Sequence, residues 1–201
     1  MSLWVAPRPL ILASQSPIRH ELLTKAGIPV IVIVADVDER SIEASLKRTA
    51  VAPDMVARHL ARAKAAAVSR SNPDDFVLGA DQVLAVDGRL FTKPSDKTQA
   101  AAQLGELSGR THHLHSAFCL MRGRGILAED AASASLTMRR LSAAFIDRYL
   151  AETGQTILGC VGAYQLESLG IHLFEHVEGD HSTILGLPLL AALRRQGAVT
   201  S

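Results

Sequence analysis

Cysteine is nearly missing from this chain. Among 201 residues only Cys119 and Cys160 are cysteines, far apart and outside any C-x-x-C pair. That argues against a disulfide framework and against a thiolate zinc site, and fits a cytoplasmic protein with reduced thiols. Runs of like charge are also missing: 21 basic and 20 acidic residues leave a net charge of +1. General affinity for nucleic acid is therefore not expected. The longest strongly apolar stretch, Val30 to Ala35, is far below the ~20 residues that cross a bilayer, so no membrane association is expected. The first residues lack the charged start and apolar middle of a secretion signal. Neither G-x-G-x-x-G nor G-x-x-x-x-G-K-[ST] occurs, which removes the Rossmann and P-loop fingerprints. There is no repeat, linker or low-complexity tract. What is present is ordinary globular composition, 48% hydrophobic and 20% charged, enough for a single domain over residues 1–201 with a real core.

The most informative stretch runs from Leu12 to Leu23. Apolar residues 10–13 read as a buried strand that stops at Ser14. Ser16 is placed to cap a helix, Pro17 suits its first position, and Leu22, Leu23 and Ala26 give it an apolar face up to Gly27. A strand that turns so quickly into a helix leaves backbone N–H groups pointing one way, beside Ser14, Ser16 and Arg19. This is an anion-binding arrangement suited to phosphate. Elsewhere strands and helices alternate. Residues 29–34 and 76–80 read as short buried strands, and 52–68 as an Ala-rich helix. Residues 83–91 form a hairpin around Asp87-Gly88. Ser95 is placed to cap a helix reaching Leu107. Residues 111–121 and 126–136 are two long strands around Arg122-Gly-Arg-Gly. A helix follows over 142–153, then strands over 163–167 and 171–177 and a last helix over 187–196. Hairpins mixed with βα units give an α/β fold with a mixed sheet.

Charged residues at strand ends are the candidates for chemistry, because α/β folds place ligands there. Asp81 follows Leu78-Gly-Ala80, and Asp38 and Glu39 follow the second strand. Paired carboxylates suit a hard divalent cation that bridges phosphate oxygens, and one of them can orient or deprotonate a water. Arg19, Lys64 among small alanines, and Lys93 would neutralise a triphosphate if they converge. Either lysine alone reads as a solvated surface charge. His113 and His115 share a strand face, but no third metal ligand stands near them in the sequence.

Eight motifs in order carry a family likeness: Ala13-Ser-Gln-Ser-Pro-Ile-Arg19 with Glu21-Leu-Leu23, Val37-Asp-Glu39, Ala61-Arg-Ala-Lys-Ala65, Gly79-Ala-Asp-Gln-Val83, Lys93-Pro94, Leu107-Ser-Gly109, Gly162-Ala-Tyr164 and Gly186-Leu-Pro-Leu189. In these the chain resembles the Maf family of nucleoside triphosphate pyrophosphatases, from residue 10 to 197. The resemblance implies a mixed, elongated sheet flanked by helices, in two lobes around a central cleft as in inosine triphosphatases, and a homodimer. It implies hydrolysis of a nucleoside triphosphate to the monophosphate and pyrophosphate with Mg²⁺ or Mn²⁺. Carried over by position, Ser14, Ser16, Arg19 and Lys93 bind phosphates. Lys64 stands beside them with a catalytic part. Glu39 and Asp81 are linked to the metal, and Asp81 is the general base.

Ile18, Gln82 and Glu167 depart from the family's thymidine and uridine triphosphatases. The latter two match the subgroup acting on 7-methylguanosine triphosphate, as does the stretch from Gly170 to Gly179, whereas Ile18 replaces that subgroup's tryptophan. A carboxylate at 167 can accept from the N1–H and exocyclic amine of guanine. The resemblance thus implies removal of modified or non-standard nucleotides such as 7-methyl-GTP. The alternatives are a dTTP and UTP pyrophosphatase or a nucleotide-binding regulator of cell division.

Overall fold

The computed structural model describes residues 4, 6–49 and 51–196. Seven strands form one mixed sheet in the order β2-β1-β3-β5-β6-β7, with β4 paired to β3. The parallel corner consists of β1 (Leu10–Ala13), β2 (Val30–Val32) and the start of β3 (Val77–Val86). The rest is antiparallel: β4 (Arg89–Phe91), β5 (Thr111–Arg122), β6 (Gly125–Met138) and β7 (Phe174–Glu178). The helices are α1 (Pro17–Lys25), α2 (Glu39–Arg48), α3 (Pro53–Ser69), α4 (Lys97–Leu107), α5 (Ala143–Thr153), α6 (His181–Ile184) and α7 (Leu189–Gln196). None is long and apolar enough to cross a membrane.

Local chemistry explains most boundaries. Gly27 at φ +75° ends the turn after α1. Asp87 and Gly88 both take positive φ, as a two-residue hairpin turn demands. Ser142 caps α5 by accepting from the Phe145 N–H at 3.2 Å. Four expectations shift. β2 is the sheet's edge, and Ile31 and Val32 are exposed rather than buried. The cap of α4 is Asp96, which accepts from the Gln99 N–H at 2.8 Å, while Ser95 donates to Asp96. Residues 161–173 make two 3₁₀ turns, Val161–Ala163 and Leu169–Leu173, instead of a strand over 163–167. The strand after them begins only at Phe174.

The fourth shift positions the site. β3 does not stop before Asp81 but runs on to Val86, ten residues in all. Its edge is shared: β1 pairs with residues 77–79 and β4 with residues 84–86. Residues 80–83 lie between the two, bonded only to β5 on the other side. Asp81 thus sits in the middle of a strand yet where the parallel pairing ends, so its surroundings are still those of a strand terminus.

Separate apolar clusters fill the two ends and faces. Leu10, Leu12, Leu23, Leu78, Phe118 and Leu187 pack below α1 and α7. Val56, Leu60, Ala61, Ala65, Val83 and Met121 pack under α3. Leu84, Leu114, Leu136, Ile146, Tyr149 and Tyr164 form the largest cluster, under α4 and α5.

Candidate active site

The site is assembled from β1, α1, α2, α3 and β3. Gly79 sets its depth. A Cβ there would lie 2.1 Å from the Ala61 carbonyl oxygen and 2.6 Å from the Ala65 nitrogen, so only glycine lets α3 lie this close to β3. Ala57, Ala61 and Ala65 are fully buried on that contact. The alanines around Lys64 therefore serve helix–sheet packing rather than leaving room for a ligand. Close packing brings Lys64, itself buried, onto Asp81. Its Nζ lies 2.5 Å from Asp81 Oδ1 and 3.0 Å from Glu39 Oε1. One ammonium is thus held between two carboxylates from different elements, the geometry expected of a paired rather than an isolated buried charge.

Asp38 does not join them. It is exposed and caps α2, accepting from the Ser41 N–H at 3.0 Å. That cap fixes the start of α2 and hence the position of Glu39. A residue missed in the sequence does join them: Glu43, one helical turn beyond Glu39 on α2. Burial pushes its carboxyl above the usual value, and Asp81 and Glu39 push it further. The i, i+4 spacing from Glu39 was the available signal.

Arg19 is buried and bound on three sides. Its Nε donates to the Gly186 carbonyl at 2.7 Å, and its Nη1 donates to Ser14 Oγ at 2.9 Å and to the Ala80 carbonyl at 2.8 Å. Nη2 has no protein acceptor among the described residues. Burial pushes the guanidinium below its usual value, while Asp81 and Glu39 push it back up. Ser14 Oγ also accepts from the Ser16 N–H at 3.3 Å. Ser16 occupies the N-cap position of α1, but its side chain makes no capping bond. The expected cap is thus not formed, and the first-turn N–H groups stay open to an anion.

Gln82 points to the other face of β3. Its Nε2 donates to Ser116 Oγ at 3.0 Å and to the carbonyls of Thr183 at 3.1 Å and Ile184 at 2.9 Å. Lys93 and Glu167 are exposed and share a third neighbourhood beside Cys160. There burial raises the thiol's pKa, Glu167 raises it further, and Lys93 lowers it. Among the described residues neither makes an ion pair with the Lys64 cluster. Arg19 and Lys64 thus converge on the same two carboxylates, and Lys93 and Glu167 both lie near Cys160. His113 and His115 lie with ring centroids 6.1 Å apart, and no group of three metal-ligating side chains occurs among the described residues.

The donor set fits a hard divalent cation that arrives with its substrate. Glu39 and Asp81 offer carboxylate oxygens, and Mg²⁺ is commonly held by one or two carboxylates plus substrate phosphates, keeping several waters.

A nucleoside triphosphate pyrophosphatase of Bradyrhizobium diazoefficiens is 51% identical over 193 residues, 96% of this chain and 95% of that protein. A 7-methyl-GTP pyrophosphatase of Rhizobium johnstonii is 48% identical over 186 residues, 92% of this chain and 94% of that one. Among solved structures, a HAM1 protein from Coxiella burnetii covers 95% of this chain and 97% of its own, at 15% identity and a TM-score of 0.48. The pattern that defines Maf-like proteins matches residues 9–195, a span that takes in Ser14, Arg19, Glu39, Lys64 and Asp81, and the chain belongs to that family.

Proposed function

We propose that this protein is a nucleoside triphosphate pyrophosphatase, cleaving between the α and β phosphates to release the monophosphate and pyrophosphate. The observation that carries the reading is the ammonium of Lys64 held between Asp81 and Glu39, beside an uncapped helix N-terminus and Arg19. The open N–H groups of α1 and Nη2 of Arg19 receive phosphate oxygens. Glu39 and Asp81 hold a divalent cation, which neutralises phosphate charge when bound. Asp81 orients the attacking water and takes its proton, and Lys64 fixes the direction of that carboxylate. Little covalent chemistry is asked of the protein, since positioning and charge neutralisation supply most of the acceleration in phosphoryl transfer.

The preferred base is 7-methylguanine. Glu167 accepts from the N1–H and the exocyclic amine, and its charge attracts a base made cationic by methylation at N7. Thymine and uracil would set carbonyl acceptors against the same carboxylate.

The test is pyrophosphate release across a nucleotide panel with Mg²⁺ or Mn²⁺ and with chelator. Asp81→Asn is expected to lower turnover by about a thousandfold, within the range for loss of a general base. Full activity in that variant removes Asp81 from the role. Glu167→Gln is expected to shift preference toward thymidine and uridine triphosphates. An unchanged preference refutes the base assignment.

A further inference from the structure

The segment leading into α7 is attached to the sheet through its carbonyl groups. Asp180 caps the four-residue α6, accepting from the Thr183 N–H at 2.8 Å. Beyond that cap, donors from three elements reach across. Ser116 Oγ donates to the Thr183 carbonyl at 2.7 Å. Gln82 Nε2 donates to the Thr183 carbonyl at 3.1 Å and to that of Ile184 at 2.9 Å. Arg19 Nε donates to the Gly186 carbonyl at 2.7 Å. Ser116 and Gln82 are directly opposite each other in the β3–β5 register and are themselves bonded at 3.0 Å. Ser116 is fully buried, and its single hydroxyl both accepts from Gln82 and donates to the strap. Gly186 takes φ +97°, and a Cβ there would lie 3.3 Å from Arg19 Nε and Nη2. The strap is therefore the wall against which the guanidinium rests.

We infer that Ser116 is a positioning residue for triphosphate binding, acting through residues 183–186 to hold Arg19 with Nη2 directed at the phosphates. Ser116 lies on the face of the sheet opposite Asp81 and touches none of the reacting atoms. Its effect passes through the Thr183 carbonyl, which accepts from it, and the Gln82 amide, which donates to it, and then through the Gly186 carbonyl. This deepens the pyrophosphatase reading and rests on it. A distant hydroxyl that fixes a substrate-binding cation should change affinity more than turnover, because the guanidinium meets the phosphates before and during cleavage alike.

The experiment pairs Ser116→Ala with Ser116→Thr, which keeps the hydroxyl. Amides 184–187 all donate to carbonyls of residues 180–183, so their hydrogen exchange reports whether the strap stays in place. In Ser116→Ala they are expected to exchange about tenfold faster, while the amides of α5 are unchanged. KM for the best nucleotide should rise about tenfold and kcat change less than about threefold, and threonine should restore both values. Unchanged exchange with unchanged KM in Ser116→Ala overturns the inference, as does a threonine variant that behaves like alanine. A wild type that cleaves no triphosphate defeats the proposed reaction instead, and the exchange measurement still decides whether Ser116 holds the strap.

Discussion

Around β1 and the first half of β3 the interior holds Arg19, Lys64 and Asp81, whereas around the far ends of β5 and β6 it holds His112, Tyr149 and Tyr164. Both regions bury polar groups, but the first buries full charges and the second neutral rings. In the first, the charges are tied to partners from other elements. Lys64 meets Asp81 and Glu39, and Arg19 meets a hydroxyl and two carbonyls. In the second, His112 Nε2 lies 2.8 Å from Tyr164 Oη, and the rings of His112, Tyr164 and Phe174 stack at tilted or edge contacts. His112 Nδ1 is buried with no partner among the described residues. The comparison teaches where the molecule is organised for binding and where for cohesion. Buried charge is retained where the proposed site would receive a polyanion, and the opposite end is mostly apolar.

The largest expected effect is that of Gly79→Ala. The added Cβ meets backbone atoms of α3, not a flexible side chain, so the helix must move and Lys64 with it. Loss of about 3 to 4 kcal/mol of stability is expected, together with a collapse of turnover. Leu136→Ala, fully buried in the far cluster, should lose a similar amount, about 3 kcal/mol, through its cavity. Its turnover should stay normal below the melting transition. Denaturant unfolding and initial rates on the two variants check the contrast, and a Leu136→Ala enzyme as impaired as Gly79→Ala would erase the division between the regions.

A middle-sized effect belongs to the far end alone. Burial, with a contribution from His113, lowers the pKa of His112 from 6.5 to about 4. A protonated ring would present a second N–H at Nδ1, where no acceptor stands among the described residues. Between pH 6.5 and 4 the unfolded chain holds a proton on this ring that the folded chain refuses, so stability falls as pH falls through that window. The full loss from this group is about 3 kcal/mol, complete near pH 4. His112→Gln keeps a polar partner for Tyr164 without titrating, and the difference in unfolding free energy between wild type and variant should shrink by about that amount on acidification. Equal losses in both proteins would mean that His112 is not the source.

Signals confined to a few neighbouring residues were legible in the sequence. The β1–α1 turn, the Asp87-Gly88 hairpin, the paired β5 and β6, and the helix before Gly154 are all set by residues close in the chain. What depended on distant packing was not legible. Val30 to Val34 looks buried by composition, but sheet order leaves β2 at the edge. Asp81 looks like a strand end because an unpaired carboxylate within an apolar run is costly. The strand continues because Lys64, seventeen positions earlier, neutralises it. Ser16 has the right type and place for a cap yet makes no capping bond, and Asp96 displaces Ser95 by one residue. At the site, Glu39, Lys64 and Asp81 were named from the motifs. Glu43 and Ser116 were not, because their significance lies in which faces α2 and β5 present.

The smallest effect marks the outer limit of the comparison. Arg62 lies on α3 two positions from Lys64, and forms a forked contact with Glu129 on β6, with Nη2 to Oε1 at 2.6 Å and Nε to Oε2 at 3.1 Å. Geometry and charge are as favourable as in the Lys64 pair, but the side chains are 47% and 30% exposed against 10% and 9% for Lys64 and Asp81. Water and salt screen an exposed pair, and ordering two long side chains offsets part of the gain. Arg62→Ala should therefore lose less than about 1 kcal/mol, and less still in high salt. Turnover should not change, since α3 is held to β3 by Gly79 and the alanines and not by this bridge. A rate loss in Arg62→Ala comparable to that of Gly79→Ala would mean that the outer bridge, rather than the packing beneath it, sets the position of Lys64.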